Sequence, residues 1–224
     1  MSKMKGRRAD QTPSGYTMIF GIPELGNLIS KTHATKISAG IELEELIMAR
    51  CKGIPDFDAF ISNLNNDKTA GIFVATKKQV KKSKVISATK YEPDFLAFDL
   101  VKRICYVIEV KDGDQFDTKK AAGERTTLHN FTTLVSSVLP FSFQIYICGF
   151  NARTRKEIYD GLKHKFSMDE ILTGQELCTL FGIDDYQEIV RVRTNDQQDN
   201  LIYFVEELLK ISNIKNMIVK RLKG

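Results

Sequence analysis

Apolar residues gather into two neighbouring runs near the middle of the chain, Phe95 to Leu100 and Ile104 to Val110, with Val101-Lys102-Arg103 between them. Both are short and rich in β-branched, aromatic and aliphatic residues, so they predict two strands joined by a turn. In the second run Ile104, Tyr106, Ile108 and Val110 share one face, and Cys105, Val107, Glu109 and Lys111 the other. Both faces stay apolar until the end of the run, which predicts a strand covered on both sides. A carboxylate and an ammonium then stand two residues apart on one face, just before the turn-forming Asp112-Gly113. Charges there are costly against an apolar core unless they bind something.

The pattern on either side is mostly helical. Tyr16 to Ile29 is broken by Gly21, Pro23 and Gly26 and predicts a short helix or loop. From Ile37 to Arg50 the positions Leu43, Leu46, Ile47 and Arg50 follow helical spacing, with Ser38 as the expected cap. Ile54 to Asn65 predicts a short helix ending in the Asn65-Asn66 loop. Ile72-Phe73-Val74 and Val85-Ile86 are strand-like pieces around Thr76 to Ser83 and Lys84, five lysines in nine residues. That segment predicts a hairpin able to follow a phosphate backbone, or a loop kept soluble by lysine. Beyond Asp114, Asp117 or Thr118 is positioned to cap a helix whose Leu128, Phe131 and Val135 form a core stripe. Phe141 to Phe150 is a further strand.

In the last third, Thr154 with Glu157, Ser167 with Glu170 and Thr173 with Glu176 fit the Ser/Thr-x-x-Glu capping box. They predict helices over 155–166, 168–172 and 174–181, the last stopped by Gly182. Arg191, Arg193 and the polar residues from Asn195 to Asn200 predict a loop, and 201–222 a final helical region with late basic residues.

Composition narrows the class. A chain of 224 residues with 42% hydrophobic and 27% charged residues is that of a globular protein, here expected as one domain with a basic mobile arm over 1–15. No apolar run approaches membrane-spanning length, and the polar, basic N-terminus has no signal-peptide pattern, so a cytoplasmic protein without membrane partners is expected. Cys51, Cys105, Cys148 and Cys178 lack metal-ligand spacing and are expected as buried hydrophobes in a reducing compartment; three histidines are too few and scattered for zinc. Net charge is +5 and unevenly distributed, which fits a polyanionic partner.

Asp94 completes the charged group. With Lys102-Arg103 as a two-residue loop, Asp94 faces Lys111; with a four-residue loop it faces Glu109. Either register brings two carboxylates and a lysine to one end of a sheet, where hard oxygen ligands favour a divalent ion such as magnesium.

Pro93-Asp94, fourteen residues, then Glu109-Val110-Lys111 resembles the PD-(D/E)xK motif of the restriction-endonuclease-like nuclease superfamily. The resemblance covers residues 38–150. It implies an α/β fold, a central mixed β-sheet flanked by helices, with a helical C-terminal part over 151–224 and a single nuclease domain over 16–224. It implies Asp94, Glu109 and the carbonyl of Val110 as magnesium ligands, with Lys111 acting on the attacking water. Many nucleases of this superfamily carry a Gly-x-x-x-Glu pattern on the preceding helix, which Gly40 to Glu44 matches, so the resemblance implies Glu44 as a further site residue. DNA contacts are implied for Lys119, Lys120 and Arg125, and the motif gives weight to Lys77, Lys78, Lys81 and Lys82 as phosphate contacts. The expected activity is that of a type II restriction endonuclease, a magnesium-dependent homodimer of a prokaryotic cytoplasm that cuts double-stranded DNA at a specific site, leaves 5′-phosphate ends and uses no organic cofactor. The alternatives are a repair or recombination nuclease of the same superfamily and a non-catalytic DNA-binding protein.

Overall fold

Both central runs form strands, joined by a turn that the sequence left open between two lengths. The structure, a computed structural model, describes residues 3–5, 15–64, 70–86, 92–112 and 118–223, with the backbone alone for 118–120. The Asn65-Asn66 loop, the Gly113-Asp114 turn, the Asp117 cap and most of the 1–15 arm lie outside the described residues. Within that arm Met4 is buried, and its amide donates to Asn200 Oδ1 at 2.9 Å.

In chain order the elements are α1 (Gly15–Phe20), α2 (Pro23–Met48), α3 (Phe57–Asn63), β1 (Ile72–Thr76), α4 (Lys77–Lys82), β2 (Phe95–Asp99), β3 (Ile104–Lys111) and α5 (Thr118–Val135). There follow β4 (Ser142–Gly149), α6 (Arg155–Gly161), a 3-10 turn (Met168–Glu170), β5 (Ile171–Thr173), α7 (Gly174–Leu180), α8 (Tyr186–Thr194), α9 (Gln197–Lys210) and α10 (Ser212–Lys223). The chain forms two compact units, Met1–Leu43 with Gln187–Gly224, and Glu44–Tyr186. The first is helical; the second holds the whole sheet.

Several elements differ from the sequence pattern: Val85-Ile86 form a bend and not a strand, the helix expected over 155–166 ends at Gly161, and four others differ for local reasons. The helix expected from Ile37 with Ser38 as cap instead begins at Pro23, whose fixed φ suits a first helical position. Its polar early turns are reconciled with the helix by Thr32 and Thr35, whose hydroxyls donate to carbonyls one turn back, at 3.0 and 2.8 Å. The lysine-rich segment is helix α4 rather than a hairpin, because Thr76 and Gln79 form a reciprocal capping box and Val80 anchors the helix in the core. Residues 168–172 are a 3-10 turn followed by β5, a strand too short to carry a period. The polar loop expected around Arg191 is helix α8, where Arg191 makes a two-pronged pair with Glu188, and 197–200 open α9.

The sheet runs β1-β2-β3-β4-β5, antiparallel from β1 to β3 and parallel from β3 to β5. Asp99 pairs with Ile104, so the β2–β3 turn has four residues. Asp99 itself makes this the favoured length. Its side chain is buried, and Oδ1 accepts from the amides of Val101 and Lys102 at 3.0 and 2.9 Å. Arg103 takes the left-handed conformation that closes the turn, with φ 56°.

The main core lies on one sheet face. Leu96, Phe98, Cys105 and Val107 pack there with Phe57, Val80, Leu128, Phe131, Val135 and Phe141. The helical stripe read from α5 is thus all core. On β2, Phe95 stacks edge-on against Phe181, with ring centroids 5.6 Å apart. Cys105, Cys148 and Cys178 are buried as expected, Cys51 is only partly so, and all four thiols are free. Among the described residues no helix is long and apolar enough to cross a membrane.

Candidate active site

Continuing the β2–β3 register by one pair sets Asp94 opposite Glu109, the four-residue alternative, on the face that carries Leu96 and Val107. This is the end of the hairpin where its apolar side chains give out. Asp94 is held from three directions. Its Oδ2 accepts from the Val110 amide at 2.9 Å, its carbonyl accepts from the Lys77 amide at 2.9 Å, and its Oδ1 faces Lys77 Nζ at 3.3 Å. The first bond ties the carboxylate to β3; the second extends the β1–β2 pairing to the first residue of α4.

Lys111 stands between two carboxylates. Its Nζ is 2.8 Å from Glu109 Oε1 and 2.7 Å from Glu124 Oε1. Burial alone would depress Lys111, but the charges and hydrogen bonds of Glu109 and Glu124 outweigh it and hold the ammonium above the ordinary lysine value. Glu109 is raised above the ordinary carboxylate value, by burial first and then by the charge of Asp94, with Lys111 opposing. Glu44, near the end of α2, is pushed up to about 7, chiefly by burial and then by Asp94. Asp94 and Glu109 both act on Glu44, and Asp94, Glu109 and Glu44 all act on Lys77. Glu44 therefore lies within electrostatic reach of the two motif carboxylates.

With all groups ionised, Asp94, Glu109, Glu44 and Glu124 set four negative charges against the two ammonium groups of Lys77 and Lys111. A divalent cation would balance that excess. Among the described residues no three carboxylate, thiolate or imidazole groups converge into a ready-made cage. Magnesium does not require one, because it keeps several waters and takes only one or two carboxylates plus substrate oxygens. The oxygen-only donors at 94 and 109 fit that ion.

The DNA-contact candidates divide. Lys78, Lys81 and Lys82 are exposed along α4, whereas Lys77 turns into the site. Lys119 and Lys120 lie in the first turn of α5, and their side chains are outside the described residues. Arg125 is engaged elsewhere, with Nε and a terminal nitrogen 3.0 and 2.8 Å from the Glu170 carboxylate.

Two features escaped the sequence reading. Glu124 was visible only as a helix residue, yet it falls on the stripe of Ala121, Leu128 and Phe131, all buried. A carboxylate on a core stripe needs a partner, and that anomaly was the available sign, without showing that the partner is Lys111. The inward turn of Lys77 was hidden by the lysines around it; the Thr-x-x-Gln cap that ends β1 one residue earlier was the available sign.

No family model matches the chain, and no solved structure matches it at a significant level. The sequence is 44% identical over 212 residues to the type II restriction enzyme HhaII of Haemophilus parahaemolyticus, an alignment covering 92% of this chain and 93% of that relative.

Proposed function

The chain belongs to the family of the type II restriction enzyme HhaII and is a type II restriction endonuclease; on that premise we propose that it cuts double-stranded DNA with magnesium at the Asp94–Glu109–Lys111 site. The observation that carries the assignment is the Val110 amide on Asp94 Oδ2, which locks two carboxylates side by side at the end of a strand hairpin beside a lysine held by two acids. Family membership favours this over a repair nuclease or a DNA-binding protein without catalysis.

Asp94, Glu109 and the Val110 carbonyl are the groups that would hold the cation. When bound, it supplies Lewis acidity that neutralises charge on the scissile phosphate and acidifies adjacent water. Lys111 keeps a proton through neutral pH because Glu109 and Glu124 favour its charged form. It therefore presents a fixed N–H to the attacking oxygen and to charge developing on the phosphorus oxygens. Glu44, pushed up to about 7 chiefly by burial, would be the carboxylate that takes a proton from the water near neutrality. Exposed Lys78, Lys81 and Lys82, with Lys119 and Lys120, would lie along the phosphate backbone and make binding strongly salt-dependent.

One such site cuts one strand, and a symmetric duplex site is most simply met by a two-fold dimer, so the active form is a homodimer in the cytoplasm. The test is a plasmid digest with magnesium and with chelator, followed by sequencing and ligation of the products. Discrete fragments sharing one short end sequence, ligatable without added phosphate and absent with chelator, are expected. Smeared degradation, or cutting that survives chelation, would overturn the reading.

A further inference from the structure

Lys77 differs from every other lysine of its segment. Its amide is pinned to the Asp94 carbonyl at 2.9 Å, and the capping box of Thr76 and Gln79 fixes the turn on which it stands. Gln79 is itself tied to the Ile54 carbonyl, so the base of the side chain is anchored on two sides. From that base Nζ reaches Asp94 Oδ1 at 3.3 Å, while Oδ2 is committed to the Val110 amide. Lys77 thus covers the one Asp94 oxygen not already taken by backbone. About half of its side chain remains exposed, with 47% accessible, so the ammonium is free to leave on its four-carbon stem.

We propose that Lys77 is the resident counter-ion of the metal-free site: its ammonium holds the Asp94 oxygen that the divalent cation takes, and moves to a phosphate oxygen of DNA when the cation arrives. This rests on the assignment of Asp94 to the metal site. The exchange is a simple replacement of one positive charge by another, with no bond made or broken. In the metal-free enzyme Lys77 limits repulsion between Asp94 and its acidic neighbours. In the loaded complex it adds a positive contact on the scissile strand, beside the one from Lys111.

The experiment compares Lys77→Met and Lys77→Arg with the wild-type full-length enzyme. Manganese(II) binding without DNA is followed by electron paramagnetic resonance, and cleavage is followed in single turnovers at saturating magnesium. In Lys77→Met, manganese should bind about tenfold more tightly, because a competing cation has gone. Cleavage should slow by about tenfold or more, and the logarithmic salt slope of DNA binding, measured with calcium in place of magnesium so that the site is filled and the DNA stays whole, should fall by about 0.9, the share of one phosphate contact. Lys77→Arg, which keeps the charge, should stay near wild type in manganese affinity and confirms that the position tolerates substitution. Lys102→Met, at the opposite end of the hairpin, should change none of these readings. Unchanged or weaker manganese binding in Lys77→Met overturns the counter-ion role, and full-speed cleavage with an unaltered salt slope overturns the transfer to phosphate. Asp94→Asn, run alongside, separates the premises: wild-type cleavage by that variant would remove the site assignment itself, whereas its failure to cut with Lys77→Met unaffected would remove only the role of Lys77.

Discussion

Replacing Glu124 by glutamine removes one of the two charges that hold Lys111 while keeping the side chain's shape. The ammonium lies 2.7 Å from Glu124 Oε1 and 2.8 Å from Glu109 Oε1, so the variant leaves it on Glu109 alone. A charge-assisted hydrogen bond contributes about 1.5–3 kcal/mol. Lys111 and Glu124 have side chains 27% and 24% exposed, which places this pair at the low end. If that energy is what fixes Lys111 for the transition state, the chemical step should slow by about tenfold. Lys111 also loses part of what raises it above the ordinary lysine value, so its ammonium should deprotonate at lower pH. Single-turnover cleavage, measured from neutral to alkaline pH, should show a lower plateau and an alkaline limb displaced toward neutrality, with DNA affinity unchanged. Wild-type rate with an unmoved alkaline limb would refute the positioning role of Glu124, and weakened DNA binding with normal chemistry would assign it to binding instead.

Glu44 carries a pH signature. Its value rises from 4.5 to about 7 on folding, so the folded chain binds that proton more tightly than the unfolded one, and stability falls as pH climbs through this window. Since the group is only half buried, the penalty above about pH 7 is on the order of 1–2 kcal/mol. Without metal, Glu44→Gln should therefore raise Tm at about pH 8 and leave it unchanged at about pH 4; equal effects at both would contradict the assignment. Arg125→Ala breaks the pair with Glu170, whose side chains are 41% and 14% exposed, and should cost about 1 kcal/mol, or about 2–4 °C in Tm. The salt slope of its DNA binding should stay at the wild-type value, and a drop of about 0.9 would instead make Arg125 a phosphate contact. At Gly174 an added Cβ would land on the Phe150 carbonyl and lie 3.0 Å from the rings of Phe150 and Tyr186. Gly174→Ala should cost about 1–3 kcal/mol by thermal melting, and an unchanged Tm would show that the β4–α7 junction can yield.

The strands around the motif were legible because their apolar alternation, β-branched content and turn residues agree with one another. The register was legible only to a choice of two. Asp99 decided it by capping the turn, a role that neither period nor spacing shows. The α5 core stripe and the caps at Thr154, Ser167 and Thr173 followed from rules that hold within a few residues. The Thr154 and Thr173 oxygens accept the amides three residues on, where those rules place them, whereas Ser167 opens a 3-10 turn with its own amide donating to the Glu170 carboxylate. Helix α4 was hidden because lysine reports exposure more strongly than conformation. Strand β5 was hidden because three residues carry no measurable period. The pairings of Lys111 with Glu124 and of Arg125 with Glu170 span separate elements, and no local pattern encodes them.

The most direct test of the Asp94–Glu109–Lys111 site is cleavage by Asp94→Ala, Glu109→Ala and Lys111→Ala enzymes on a plasmid that the wild type cuts to discrete fragments with magnesium, with DNA affinity measured in parallel. The site predicts that all three variants bind DNA about as well as the wild type and leave the plasmid whole. A Glu109→Ala enzyme that produces the same fragments at the wild-type rate would contradict it.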